Sequence, residues 1–157
     1  MVRTRRTLID YLWASPGSVV GVALGLVALL AGARWSAHRG VIEVALRRED
    51  QRRGVMPIVA ITFGHVVLGR TAADLERLRA HEHAHVAQYE RWGPLFFLAY
   101  PCASLLALLR TGRPYHDNCF EVEARAAARR SREAPPGGGL APGSRRYSGP
   151  SRPSARD

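Results

Sequence analysis

The sequence predicts an α+β fold, mainly helical, with a small β-sheet ahead of one long helix and with two short apolar helices. Three observations carry this. Two charge-free apolar runs lie at Ser18 to Ala33 and Leu95 to Leu109. Between them, stretches rich in branched residues read as strands. A segment from Thr71 to Trp92 has a capping residue, helical periodicity and a Gly93-Pro94 stop. With 157 residues, one modest domain with tails is expected. Residues 1–40 form an N-terminal apolar, membrane-associated helix, 41–130 the domain, and 131–157 a disordered basic tail.

The net charge is +10, and all 23 basic residues are arginine. An excess built from arginine alone reflects a GC-rich coding sequence, so it says little about partners. No basic motif interleaved with aromatics is present, and nucleic acid is not an expected partner. Cys102 and Cys119 have neither disulfide-framework nor zinc-knuckle spacing and read as small buried residues.

Arg3, Arg5 and Arg6 precede Leu8 to Trp13, a Pro16-Gly17 break and the first apolar run. That run reaches about 24 Å, short of the roughly 30 Å of a bilayer core. Trp13 and Trp35 flank it as interfacial anchors, and Gly17, Gly21 and Gly25 form a small-residue stripe. Membrane association is the favoured reading. A cleaved signal, from Arg5-Arg6 and Ala31-Gly32-Ala33, and a buried helix of a soluble core are the alternatives. Arg34, Arg39, Arg47, Arg48, Arg52 and Arg53 outnumber the three leading arginines, so the positive-inside bias puts the remainder of the chain in the cytoplasm.

Val41 to Leu46 reads as a strand and Arg47 to Gly54 as a loop. Ile58 to Phe63 and His65 to Leu68 read as a bulged strand or tight hairpin about Gly64. His65 is expected to be structural. Thr71 caps the next helix, with Asp74 and Glu76 near its positive end. One arc of this helix collects Leu75, Leu78, His81, Glu82, His85, Val86, Tyr89 and Trp92. Glu76, Arg77, His83, Glu90 and Arg91 fall opposite, so His83 reads as a solvated histidine.

His81, Glu82 and His85 spell H-E-x-x-H. Residues four apart share a helix face, so the two histidines can hold one Zn2+ while Glu82 acts on a bound water. Three polar groups on an inward face are costly unless paired, and a metal satisfies all of them. The alternative has the histidines bonded to neighbouring strands and Glu82 paired with an arginine.

The second apolar run reaches only about 22 Å. If it crossed a bilayer, no later residue could complete a site begun by His81 and His85, so a complete site requires it to fold back. Ala99, Ala103 and Ala107 form a second stripe, expected to pack face to face with the glycine stripe. A turn at Gly112 to Asp117 precedes a helix from about Asn118.

The stretch from His81 to Arg125, H-E-x-x-H-V-x-Q-Y-E-x-W-G-P followed by Y-x-x-N-x-F-E-x-E-A, resembles zincin-type metallopeptidases of the gluzincin kind and a set of small bacterial membrane-associated proteins. In gluzincins the third zinc ligand is a glutamate on a later helix, often within E-x-x-A. Glu121-Val122-Glu123-Ala124 matches that pattern, and Glu123 is the fallback ligand. A capping-box-like pairing of Asn118 with Glu121 is the plainer reading.

The resemblance implies a zincin-like domain with Zn2+ on His81, His85 and Glu121 and with Glu82 as general base. Several integral-membrane gluzincins carry an aspartate where this chain has Arg125, so Asp74 or Asp117 would have to orient the ligands instead. Tyr115 or His116 would steady the oxyanion. The expected function is a membrane-associated zinc-dependent hydrolase of the metallopeptidase type, acting on a peptide or protein and touching membrane lipid. The alternative is a small membrane-bound binding or scaffold protein with a structural metal or none.

Overall fold

The computed structural model describes residues 7–46 and 59–133. Arg3, Arg5, Arg6, the whole loop expected at Arg47 to Gly54, Ile58 at the start of the next expected strand, and the tail from Ala134 onward lie outside the described residues. The fold is α+β, as expected, with a four-stranded mixed sheet and five helices among the described residues.

Helix α1 (Leu8–Trp13) begins at a capping box made by Thr7 and Asp10. Helix α2 (Ser15–Leu30) follows at once, with Pro16 in its first turn, so this proline starts a helix where a break was expected. Only Gly17, Gly21 and Gly25 of α2 are buried. The glycine stripe faces the sheet: a Cβ at Gly21 would stand 2.6 Å from Val66 Cβ, and one at Gly25 would stand 3.5 Å from Val44 Cγ2. The alanine stripe points elsewhere, with Ala99 and Ala103 packed on a cluster that includes Phe120. The expected stripe-to-stripe contact is therefore not made. Each stripe found a different partner: Gly21 and Gly25 meet strand residues, Gly17 meets Tyr89, and the alanines meet an aromatic cluster.

The sheet runs β1-β2-β4-β3. Strand β1 (Arg34–His38) turns into β2 (Val41–Ala45) through Arg39 and Gly40, both with positive φ as a type I′ hairpin requires. This first strand lies inside the segment expected to be only an apolar helix. Trp35 is a residue of that strand. Strands β3 (Ala60–Phe63) and β4 (Val66–Gly69) form the tight hairpin about Gly64, and β4 pairs in parallel with β2. Buried Val41, Ala45 and Val67 meet Leu75 and Val86 of the next helix to form one core cluster.

Helix α3 (Ala72–Trp92) has the expected bounds, capped by the Thr71 hydroxyl, which accepts from the Asp74 amide. It carries contacts on two sides, to the sheet and to helix α5 (Cys119–Glu133). This corrects the reading of His83. It is half-buried, its Nε2 stands 3.7 Å from Glu43 of β2, and its ring meets His38 edge-on. Arg79 clamps the same buried Glu43 through two hydrogen bonds of 2.8 and 3.0 Å. A one-sided amphipathic helix would have left both residues in water.

His65 is structural, as expected. Its Nε2 lies 3.1 Å from Glu90, and its backbone amide donates to Ser18 Oγ at 3.0 Å, tying the hairpin turn to α3 and α2.

At Gly93 the backbone takes φ 55°, and a short 3-10 turn (Gly93–Leu95) leads into helix α4 (Phe96–Thr111). By length and composition, the helical stretch Ala72–Thr111 is apolar and long enough to cross a membrane, but the Gly93 turn divides it. After α4, Gly112 in the left-handed conformation reverses the chain, and α5 returns to pack along α3. The fold-back that a complete site requires is present. Helix α5 continues to Glu133, three residues into the segment assigned to the tail. Cys102 and Cys119 are free and exposed, not buried, since both fall on outward faces of their helices.

Candidate metal centre

Helix α3 places His81 and His85 one turn apart, and α5 brings Glu121 against them from the opposite side. His81 Nε2 and His85 Nε2 are 3.2 Å apart. Glu121 Oε2 lies 3.4 Å from His81 Nε2, and Glu121 Oε1 lies 3.3 Å from His85 Nε2. One donor atom from each residue falls within 4.8 Å of the others, so the three can hold a metal ion.

The surrounding hydrogen bonds show how these residues could hold a cation. Gln88 Nε2 donates to the Phe120 carbonyl and to Glu123 Oε2, each at 3.0 Å, which orients the amide. Its Oε1 then faces His85 Nδ1 at 2.8 Å, so Nδ1 must carry the proton. In the neutral ring, His85 Nε2 therefore presents a lone pair to Glu121 and His81. Acceptors facing one another need a proton or a metal between them. Glu121 Oε2 is buried and has no hydrogen-bond partner, which leaves a lone pair for the same cation.

The electrostatics agree. Burial by itself lowers the pKa of His85, but the Glu121 carboxylate and Gln88 outweigh it and raise the pKa above the ordinary histidine value. Burial pushes Glu121 up, yet the adjacent His81 and His85 rings, in their protonated forms, and the Tyr100 hydroxyl hold it far below the usual carboxylate range. Tyr100 donates to Glu121 Oε1 at 2.7 Å. The capping-box reading of Glu121 is not what the structure has: the Asn118 side chain accepts from the Phe120 amide, while the Glu121 carboxylate points at the histidines. Glu123 is occupied by Gln88 and lies 3.7 Å from Arg91.

Glu82 is buried, and its Oε2 accepts from Thr62 of β3 at 2.7 Å; among the described residues no arginine pairs with it. A cleft of about 730 Å³ opens beside the centre, with His81, Glu82 and Tyr115 in its wall. Burial, with the negative charge of Glu121 next, raises the Tyr115 hydroxyl to about 12, so the phenol keeps its proton at neutral pH. His116 is exposed, meets Tyr115 edge-on and gives its backbone oxygen to Arg125, outside the cleft wall.

The chain matches no protein-family model, no curated protein and no solved structure. The site therefore rests on its own geometry.

Neither aspartate expected to orient the ligands does so. Asp74 is spent on Thr71, Arg70 and Arg77 at the start of α3, and Asp117 pairs with Arg113. The orienting groups are Gln88 for His85, Tyr100 for Glu121 and Thr62 for Glu82. Gln88 was within reach of the sequence, because it lies three residues beyond His85 on the same helix face. Thr62 and Tyr100 carry no local signal, being distant in the chain from the groups they hold.

Proposed function

We propose that this protein is a membrane-associated zinc-dependent hydrolase of the metallopeptidase type. The observation that carries the reading is the convergence of His81, His85 and Glu121 at the edge of a cleft whose wall also holds Glu82. Two imidazoles and a carboxylate are a donor set used by catalytic zinc, which keeps a fourth position open. The separations leave room for one ion: His81 Nε2 stands 3.2 Å from His85 Nε2, the two Glu121 oxygens stand 3.4 Å from His81 Nε2 and 3.3 Å from His85 Nε2, and one donor atom from each residue lies within 4.8 Å of the others.

When bound, zinc would supply Lewis acidity to a water and to a substrate carbonyl. The chain's own residues do the rest. The Glu82 carboxylate, held through one oxygen by Thr62, takes a proton from the attacking water and passes it to the departing amine. Tyr115, protonated at neutral pH, donates to the carbonyl oxygen as negative charge develops there. The water oxygen ends in the new carboxylate, its proton ends on the new amine, and the amide C–N bond is the bond broken.

Membrane association is supported by an inverted helix. Helix α2 packs on the sheet through glycines and turns Leu24, Val27 and Leu30 outward, while α4 exposes Leu98, Leu105 and Leu109. Large side chains facing out and small ones facing in suit a lipid surrounding. We assign the cleft to the cytoplasmic side, with Arg34 and Arg39 just after α2 as the positive flank.

Metal analysis of the purified chain tests the reading. Wild type should bind about one zinc per chain, Glu121→Gln should lose it and Glu123→Gln should keep it. Glu82→Gln should keep the metal and lose hydrolysis of an unstructured protein substrate by about 10²-fold or more. Absence of zinc in the wild type would refute the proposal.

A further inference from the structure

The walls of the cleft beyond the metal centre are unusually basic. Arg77 of α3 and Arg125, Arg129 and Arg132 of α5 line it, against Glu82 as its one acidic side chain among the described residues. The three arginines of α5 are spaced to share one face, and Glu121 stands one turn before the first of them. The ligand and the arginines thus form a single row leading away from the metal. At a rise of about 1.5 Å per residue, the row places charge at roughly 6, 12 and 16 Å from Glu121.

These arginines are not consumed by internal pairing to the same degree. Arg77 gives one nitrogen to Asp74, and Arg125 donates to the His116 carbonyl while lying 3.8 Å from Glu121. Arg125 also has a buried nitrogen with no hydrogen-bond partner. Arg129 and Arg132 have no acidic partner among the described residues. A cleft that brings four guanidinium groups together with one carboxylate costs self-repulsion, and an anionic occupant relieves it.

Building on the hydrolase reading, we propose that the substrate is a peptide carrying carboxylates close to the scissile bond, recognised by the Arg129 and Arg132 row. An extended peptide rises about 3.3 Å per residue, so Arg129 and Arg132 select carboxylates roughly four to five residues from the bond that is cut. An acidic side chain and a free C-terminus offer the same chemistry, and guanidinium groups bind either through paired N–H donors.

The test uses the full chain loaded with Zn2+ and a set of quenched fluorescent peptides. The peptides carry Glu or Gln at each of five positions on either side of a common neutral core, with the C-terminus free or amidated. Wild type should turn over the best Glu peptide with kcat/KM about tenfold above its Gln counterpart, or show that ratio for the free over the amidated terminus. The preference should fall to about twofold in Arg129→Ala/Arg132→Ala and weaken as salt rises. Arg130→Ala, outside the cleft, should leave it unchanged. Equal turnover of Glu and Gln peptides and of free and amidated termini would overturn the substrate assignment while leaving the hydrolase reading intact.

If no peptide is cut, the hydrolase reading fails, and fluorescence anisotropy decides the specificity of the cleft on its own. In that measurement zinc-loaded Glu82→Gln should bind the Glu peptide about tenfold more tightly than the Gln peptide, and equal binding would overturn the proposal.

Discussion

Replacing Gln88 by leucine tests whether the metal centre is held by the group that sets the His85 tautomer. The side chain is 3 % exposed. It accepts from His85 Nδ1 at 2.8 Å and donates to Phe120 O and Glu123 Oε2 at 3.0 Å each. Leucine removes the acceptor that keeps the proton on Nδ1, so Nε2 no longer presents its lone pair in every molecule, and the ring is free to turn. Loss of such an orienting partner typically costs 10- to 100-fold in metal affinity, which is about 1.4–2.7 kcal/mol at 1.36 kcal/mol per decade.

The apoprotein suffers separately. The buried Phe120 carbonyl loses its side-chain donor, at a cost of about 1–3 kcal/mol. Gln88→Glu separates the two effects. A carboxylate still accepts from Nδ1, so zinc affinity should stay within about threefold of wild type, while stability falls because the donors to Phe120 and Glu123 are gone. Competition against chelators of graded affinity measures the first quantity, and urea unfolding of the apoprotein measures the second. Zinc affinity of Gln88→Leu within about threefold of wild type would refute the tautomer argument.

Three further outcomes follow from particular contacts. Tyr115→Phe should lower kcat about 10- to 100-fold and leave zinc content unchanged, as single-turnover kinetics beside metal analysis would show. Gly21→Ala should destabilise by about 1–3 kcal/mol in thermal unfolding, because the added Cβ would stand 2.6 Å from Val66 Cβ and 2.9 Å from the Phe63 carbonyl. Burial raises the Asp74 pKa, but hydrogen bonds from Arg70, Thr71 and Arg77 outweigh it and lower the pKa below the ordinary value. Its stabilisation is therefore complete above the unfolded pKa and is lost as pH falls through the folded one. Wild type should exceed Asp74→Asn by about 1–2 kcal/mol at pH 7, and the gap should close below about pH 4.

The helices of this fold were readable because their signals are local. Thr71, the apolar arc and Gly93-Pro94 mark the ends of α3 without reference to anything else in the chain. The strand at Arg34–His38 was missed because its side chains are mostly exposed and do not alternate, leaving only hydrogen bonding to β2 to define it. His83 was misplaced for a related reason: a helical wheel assumes one covered face, and α3 has two. The partners of the two small-residue stripes were likewise decided by tertiary packing, the glycines on strand residues and Tyr89, the alanines on an aromatic cluster.

The sequence by itself determined which side chains the candidate centre takes from α3. H-E-x-x-H on a capped helix puts two imidazoles and a carboxylate within one turn of each other, because helical geometry depends only on spacing along the chain. Glu121 was nameable as their partner but not placeable, since its approach depends on the Gly93 turn, the left-handed Gly112 and the return of α5 along α3. The groups that hold the site are divided in the same way: Gln88 was implicit in the spacing of α3, whereas Thr62, Tyr100 and the arginine row in the cleft acquire their roles only when distant segments meet. Contacts between such segments come from packing the sheet and α5 on opposite sides of α3, and no local pattern in the chain encodes them.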